Sequence, residues 1–357
     1  MNLEEIRSKI DEIDGRLLEL LNERMELVHS VGVIKRSTKT LIYRPEREKY
    51  ILDRLKGINV GLLSEVSVDA IFLEIFAAAR NIELPERVAY LGPEGSFTHQ
   101  AAESRFGAMS EYMPLPTIKA VFEAIDTERA KFGVIPIENN QEGIVYETVD
   151  LLKETNVNIA AELKIPVHFA MATVAENVNK IKRIYSKDIA FRQCRGFLNK
   201  YFEQRNVEEI QVESTSKAAK LAMEDPESAA ICSEVAAKIF GLPLLFNNIE
   251  DNSNNRTRFF ILAKDFKNQP SGNDKTTIVA QLTRSDKSGV LADFLQDFKY
   301  EGINLTKIES RPHKGTEEFN FWFFIEFLGF EEHEGFQRIM NKHKDEIKIL
   351  GSYVKNV

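Results

Sequence analysis

The sequence predicts a multidomain chain: an all-α segment, a two-lobed α/β segment and a smaller α+β segment. Three observations carry that prediction. At 357 residues the chain exceeds what one hydrophobic core accommodates. Apolar residues recur at helical spacing through the first 34 positions, and near residues 84–87 this pattern yields to short apolar runs alternating with helical stretches. After a polar linker at 264–274 the expected order becomes strand, helix, strand, strand, helix, strand. The boundaries fall at 1–86, 87–268 and 275–357.

Composition narrows the function classes. A hydrophobic content of 43% is ordinary for a globular protein, and no apolar run approaches the roughly 20 residues of a membrane helix. The opening MNLEEIRSKIDEIDG is charged and amphipathic rather than a secretory signal, so a cytoplasmic location is expected. Cys194 and Cys232 exclude a disulfide framework, offer no paired metal-ligand spacing and read as reduced packing thiols. With the histidines scattered, no metal and no cofactor are expected. A net charge of −8 without a basic cluster argues against nucleic acid as a partner.

Leu3, Ile6, Ile10, Ile13, Leu17, Leu20, Leu27, Val31 and Ile34 form one stripe on a helix about 50 Å long. Such a helix needs a partner, most simply a second copy of itself, so a homodimer or higher homo-oligomer is expected. Arg24 occupies a slot where another apolar residue was due, and a guanidinium there is costly unless an anion meets it. Lys35, about three turns on, shares that face, so the pair can grip a dianion. Arg7 lies roughly a quarter-turn round and would more easily reach a neighbouring chain's site. A second helix should begin at Pro45 and end at Gly57, and a third should span 64–82. The plainer reading of this segment is a coiled-coil arm whose charges face solvent.

The second segment opens with VAYLGPEGSFTHQAA, a strand, a glycine turn and a helix started by Ser96 or Thr98. Strands are expected at 112–115, 132–137, 183–185, 209–212 and 229–231, with helices from Thr117 and about Val145, in a doubly wound pattern whose second set begins near Ile165. The chain returns through Phe259, Phe260, Ile261 and Leu262, which have the bulk of a central strand, so Thr257 and Arg258 sit at its mouth. Glu138, Asn139, Ser186, Gln193, Ser214, Thr215 and Ser216 lie at other expected strand ends and helix starts. Taken singly, each is an ordinary cap or turn residue. The third segment should carry strands at 276–282, 305–310, 319–327 and 347–353 and helices at 290–300 and 334–344.

Arg7, Arg24, Lys35 and the Arg47-Glu48 pair resemble the all-helical, AroQ-type chorismate mutases. That resemblance implies that Arg7 crosses to the partner's site, Arg24 and Arg47 hold substrate carboxylates, Lys35 and Glu83 face the ether oxygen, and Glu48 takes the substrate hydroxyl. Arg44, Ala79 and Glu83 stand where members often have aspartate, serine and glutamine; Glu83 can donate only when protonated. GPEGSF, PIENNQEGIV, the Ser186 and Gln193-Cys194 region, ESTSKAA and NRTRF resemble prephenate dehydratase. This implies a two-lobed, periplasmic-binding-protein-like fold in which Thr257 donates to the leaving hydroxyl. Ser96, Glu138, Asn139, Ser186, Gln193, Thr215 and Ser216 would bind prephenate, with Arg258 on its pyruvyl carboxylate. Lys187-Asp188 departs from the usual His-Pro, so no histidine role carries over. The stretches 288–291 and 309–312 resemble the ferredoxin-like ACT domain, which implies phenylalanine contacts from Ser288, Gly289, Val290, Leu291, Glu309, Ser310 and Arg311. The whole chain thus resembles bifunctional chorismate mutase–prephenate dehydratases, with chorismate, prephenate and phenylalanine as small-molecule partners and no membrane. A dehydratase with an inactive dimerisation arm, or a non-enzymatic amino-acid sensor, stays open as an alternative.

Overall fold

The computed structural model describes residues 2–38, 43–83, 87–108, 110–282, 288–313 and 321–355, with the side chains of 35–38 outside the description. The chain forms two compact units: residues 1–86 with 105–111, and residues 87–104 with 112–357. The second and third segments expected from the sequence therefore belong to one unit, and the short stretch 105–111 belongs with the helices.

The helical unit contains α1 (Leu3–Thr38), α2 (Pro45–Ile58) and α3 (Glu65–Glu83). Pro45 opens α2, where its missing N–H and fixed φ are harmless. The inner face of α3 carries Val68, Phe76, Ala77 and Ala79. Gly32 of α1 lets that helix come close: a Cβ there would meet Glu83 Cα at 3.3 Å. The stripe on α1 is largely uncovered, with Leu17, Leu20 and Leu27 between 53% and 64% exposed.

After the helices the chain runs in order through β1 (Arg87–Leu91), α4 (Phe97–Phe106), β2 (Glu111–Leu115), α5 (Ile118–Asp126), β3 (Phe132–Asn139), β4 (Gly143–Ile144), α6 (Tyr146–Glu154) and β5 (Val157–Pro166). It continues through β6 (Ala170–Ala172), β7 (Arg183–Ser186), α7 (Asp188–Gln193), α8 (Arg195–Phe202), β8 (Glu208–Gln211), α9 (Thr215–Glu224), β9 (Ser228–Cys232), α10 (Glu234–Ile239), β10 (Leu244–Phe246) and β11 (Arg256–Lys264). Last come β12 (Asp274–Ala280), α11 (Val290–Tyr300), β13 (Leu305–Pro312), β14 (Phe321–Leu328), α12 (Glu334–Lys342) and β15 (Ile347–Val354). Residues 319 and 320, expected to begin β14, lie outside the described residues.

Three sheets result. The first has the order β2-β1-β3-β11-β5 with β4 on β3, the second β10-β6-β9-β7-β8, and the third β13-β14-β12-β15. β11 carries the chain back into the first sheet, antiparallel to both β3 and β5. Phe259 to Ala263 are at most 1% exposed, so truncating either phenylalanine to alanine would cost about 3–5 kcal/mol. β5, a ten-residue strand of the first sheet, was not among the expected strands; the second sheet begins just beyond it with β6, close to the expected Ile165. A fully buried Glu162 sits within it. The third sheet packs on the first through β15 and β5, where a Cβ on Gly351 would collide with the Ile159 carbonyl. Tyr353 meets Phe260 edge-on at 5.9 Å. Cys194 and Cys232 are buried and free, and burial pushes both thiols up.

Candidate functional sites

At the mouth of β11 the register pairs Thr257 with Asn139 and Arg258 with Glu138. Side chains alternate across a strand, so the two neighbours serve opposite faces. On one face Asn139 Nδ2 donates to Thr257 Oγ1 at 2.8 Å and to Asn255 Oδ1 at 2.9 Å. Asn255 Nδ2 then donates to Gln193 Oε1 at 3.1 Å, and Gln193 Nε2 donates to Gln141 at 2.9 Å. Two backbone N–H groups, from Gln141 and Glu142, hold Asn139 Oδ1 and fix the amide's orientation. Because the Thr257 oxygen accepts from Asn139, its own proton is left for another acceptor. Asn255, only 1% exposed, was not singled out as a site residue in the sequence, although it opens the NRTRF stretch.

The other expected prephenate residues divide. Ser96 caps the start of α4, accepting from His99 N at 3.2 Å, and Ser216 donates to the Glu94 carbonyl. Ser214 caps α9, and Thr215 is the buried first residue of that helix. Ser214 and Ser216 line a cavity of about 780 Å³ with Pro93, Glu94, Lys217 and Lys220. Thr257 is not among its walls. Ser186 is fully buried and donates to the Ile231 carbonyl at 2.7 Å, so the structure does not bring it into the Thr257 chain.

On the opposite face Arg258 Nη1 lies 2.7 Å from Glu326 and 3.2 Å from Glu162, with Nη2 3.1 Å from Glu138. The guanidinium expected on a substrate carboxylate is instead surrounded by three of the chain's own. Burial works against ionising Glu138, but Lys307 and Arg258 outweigh it and hold the group below the usual carboxylate range. Glu138 is therefore a carboxylate and not an acid.

In the helical unit Arg24 packs over Phe76, and among the described residues its Nη1 is buried without a hydrogen-bond partner. Burial lowers its pKa, while the charges of Glu48 and Glu83 work the other way. Arg24, Glu48 and Glu83 thus share one neighbourhood. Glu48, 8% exposed, is bound by Arg80 and by Arg105 Nη1 at 2.8 Å. Arg105 Nε also donates to Tyr43 Oη at 2.7 Å, and burial pushes that phenol up to about 12, keeping it neutral. Arg80 and Arg105 were missed because their partner lies far off in sequence. Arg44 pairs with Glu46, Arg47 lies exposed over Tyr50, Ala79 is buried, and Arg7 is exposed on α1. The Lys35 side chain lies outside the described residues.

Comparison with known proteins matches residues 6–84 to chorismate mutase type II and residues 88–267 to prephenate dehydratase. The chain is 40% identical over 361 residues to the bifunctional chorismate mutase/prephenate dehydratase of Aquifex aeolicus, covering 99% of this chain and 98% of that one. The chain belongs to the bifunctional chorismate mutase/prephenate dehydratase family. A second family member, from Stutzerimonas stutzeri, is 35% identical over 99% of this chain and 98% of its own length. Among solved structures, a prephenate dehydratase from Arthrobacter aurescens in complex with L-Phe aligns with a TM-score of 0.68 and 30% identity, over 75% of this chain and 90% of that one. Membership with both catalytic domains sets aside the non-enzymatic sensor.

For a bifunctional family member, the C-terminal residues singled out in the sequence also divide. Gly289, with φ +92, opens α11 beside an exposed Ser288, and Val290 and Leu291 are half-buried on that helix. Ser310 is exposed on β13. Its neighbours point elsewhere: Glu309 accepts from Tyr146 Oη at 3.2 Å, and Arg311 makes a bidentate pair with Asp150 at 3.0 and 3.1 Å. Glu309 and Arg311 therefore fasten the third sheet to α6. No described helix is long and apolar enough to cross a membrane, and no described cluster of His, Cys, Asp or Glu could hold a metal.

Proposed function

We propose that this chain isomerises chorismate to prephenate on its helical unit as a homodimer, converts prephenate to phenylpyruvate at the Asn139–Thr257 mouth, and is inhibited by phenylalanine at its C-terminal sheet. The observation that carries the reading is the Asn139–Thr257 pair, a hydroxyl with its oxygen occupied and its proton available. As the ring carboxylate leaves as carbon dioxide, its bonding electrons enter the ring and expel the ring hydroxyl. That hydroxyl gains a proton and departs as water. Thr257 supplies a hydrogen bond to it, and Asn139 and Gln193 orient the substrate. Aromatisation drives the step, so no strong acid is required.

In the mutase half, a buried Arg24 nitrogen with no hydrogen-bond partner among the described residues supports the binding of a substrate carboxylate there. The uncovered stripe on α1 supports a two-chain helical unit, each fully buried leucine contributing about 1.5–3 kcal/mol. In such a dimer Arg7 crosses to the partner's site, with Lys35 and Glu83 at the ether oxygen. The βαββαβ order and its sheet order support an ACT domain, and the L-Phe bound by the Arthrobacter relative supports phenylalanine as effector. Within it Ser288, Gly289, Val290, Leu291 and Ser310 are the effector contacts, without Glu309 and Arg311. The two-lobed arrangement of the first and second sheets and a cytoplasmic location belong to the same reading. Direct assay of chorismate and prephenate consumption, with and without phenylalanine, tests it. Turnover of both with only prephenate turnover suppressed is expected; failure to consume either substrate overturns it.

A further inference from the structure

Two adjacent strand ends serve two masters. On one face of the first sheet Asn139 and Thr257 are hydrogen-bonded; on the other their chain neighbours Glu138 and Arg258 are paired, in the same register. The third sheet reaches both of those neighbours. Glu326 of β14 takes Arg258 at 2.7 Å, and Lys307 of β13 takes Glu138. Lys275 of β12 donates to both oxygens of Glu162 at 3.0 and 2.8 Å, and Glu162 takes Arg258 at 3.2 Å. Three carboxylates thus meet three cations, with Glu162, Glu326, Lys275 and Arg258 between 0% and 7% exposed.

A buried ionic cluster is a poor way to gain stability, because desolvation cancels much of the attraction; apolar packing serves better. Its geometry suits it to another use. Every strand of the third sheet except β15 contributes one member, and two of the three recipients, Glu138 and Arg258, are the chain neighbours of Asn139 and Thr257. Bonding capacity is also left over. Arg258 Nε and Nη2 and Glu326 Oε1 are buried without a hydrogen-bond partner among the described residues. Nη2 lies near Glu138 without hydrogen-bond geometry, and a cavity of about 420 Å³ adjoins the cluster. The cluster can therefore re-pair without being dismantled.

We infer that this cluster sets the position of the Thr257 hydroxyl, with Arg258 as a positioning residue that transmits the arrangement of the third sheet to β11. A ligand on the third sheet then acts on dehydration by favouring a different pairing of Glu326 and Lys307, with no contact in the prephenate cleft. This second clause rests on the effector reading given above; the first does not.

The test uses the full-length enzyme and two substitutions outside the cleft. Glu326→Gln keeps the shape and removes the charge on Arg258, and Lys307→Met frees Glu138 at the half-exposed edge. Each is expected to lower dehydratase kcat about tenfold with the KM for prephenate changed less than about twofold, since orientation rather than binding is lost. Both should shift the phenylalanine inhibition curve, and mutase turnover, which reports folding of the chain, should stay unchanged. Unchanged kcat in a folded Lys307→Met enzyme, or a kcat loss in Glu326→Gln matched by an equal loss of mutase turnover, overturns the proposal. If the unsubstituted enzyme ignores phenylalanine, the effector reading fails by itself, and the kcat and KM of the two variants still decide the positioning role.

Discussion

The two candidate sites handle their polar groups in opposite ways. At the Thr257 mouth the amides and hydroxyls satisfy one another within one chain, from Thr257 through Asn139 and Asn255 to Gln193. In the helical unit Arg24 has a buried nitrogen with no partner among the described residues, beside an uncovered apolar stripe. A site made of neutral groups can be complete in a monomer, because each group has a neighbour of the same kind to bond. A site that must bind a dianion concentrates cations instead, and these stay unsatisfied until an anion meets them.

That contrast can be broken most directly in the mutase. Arg24→Ala should lower chorismate turnover by roughly a thousandfold, the loss of a buried charge partner for a substrate carboxylate, while dehydratase turnover persists. Mixed with Arg7→Ala, it should regain part of the activity in heterodimers, since one of the two sites would then hold both arginines. Confirmed subunit exchange without any recovery would show that the site is built within one chain. A smaller effect is expected on the other side. Thr257→Ala should cost about a hundredfold in dehydratase kcat, and mixing it with Asn139→Ala should recover nothing, because both residues come from the same chain. Recovery there would mean that the dehydratase too is shared between chains.

The smallest effect concerns acid. Lys307 and Arg258 outweigh burial in holding the folded pKa of Glu138 below its ordinary 4.5, and Lys275 and Arg258 outweigh burial in doing the same for Glu162. Each carboxylate's contribution to stability is therefore complete above that ordinary value and is lost as pH falls through the lower folded one. Urea midpoints of the full chain should fall on acidification in that window, and Glu138→Gln should show a shallower decline. Parallel declines in the two proteins would count against the Lys307–Glu138 tie.

Periodicity made much of the fold legible. The stripe of α1, the phenylalanine run of β11 and the alternation through α5 and β3 are local signals carried by residues close in sequence. β5 was hidden by its own chemistry: Asn158, Glu162 and Lys164 interrupt its apolar run, and what makes the buried Glu162 tolerable, Lys275, is 113 residues away. The same limit explains Glu48, whose cations come from α3 and from the end of α4. Arg258 was misplaced for a different reason. Adjacency to Thr257 in sequence suggested a shared site, but in a pleated strand adjacent residues face apart.

The position of Arg105 bears on how such a fused protein can be taken apart. By sequence it lies inside the dehydratase match, yet it is packed with the helices, between Glu48 and Tyr43, and the Phe106 carbonyl accepts from Arg80. A gene cut where one family's sequence ends and the next begins would strip a buried carboxylate of one of its two cations, a loss on the order of 3–5 kcal/mol. A few residues that by sequence match the dehydratase are thus structural parts of the helical unit. Any minimal mutase excised from it has to carry them along.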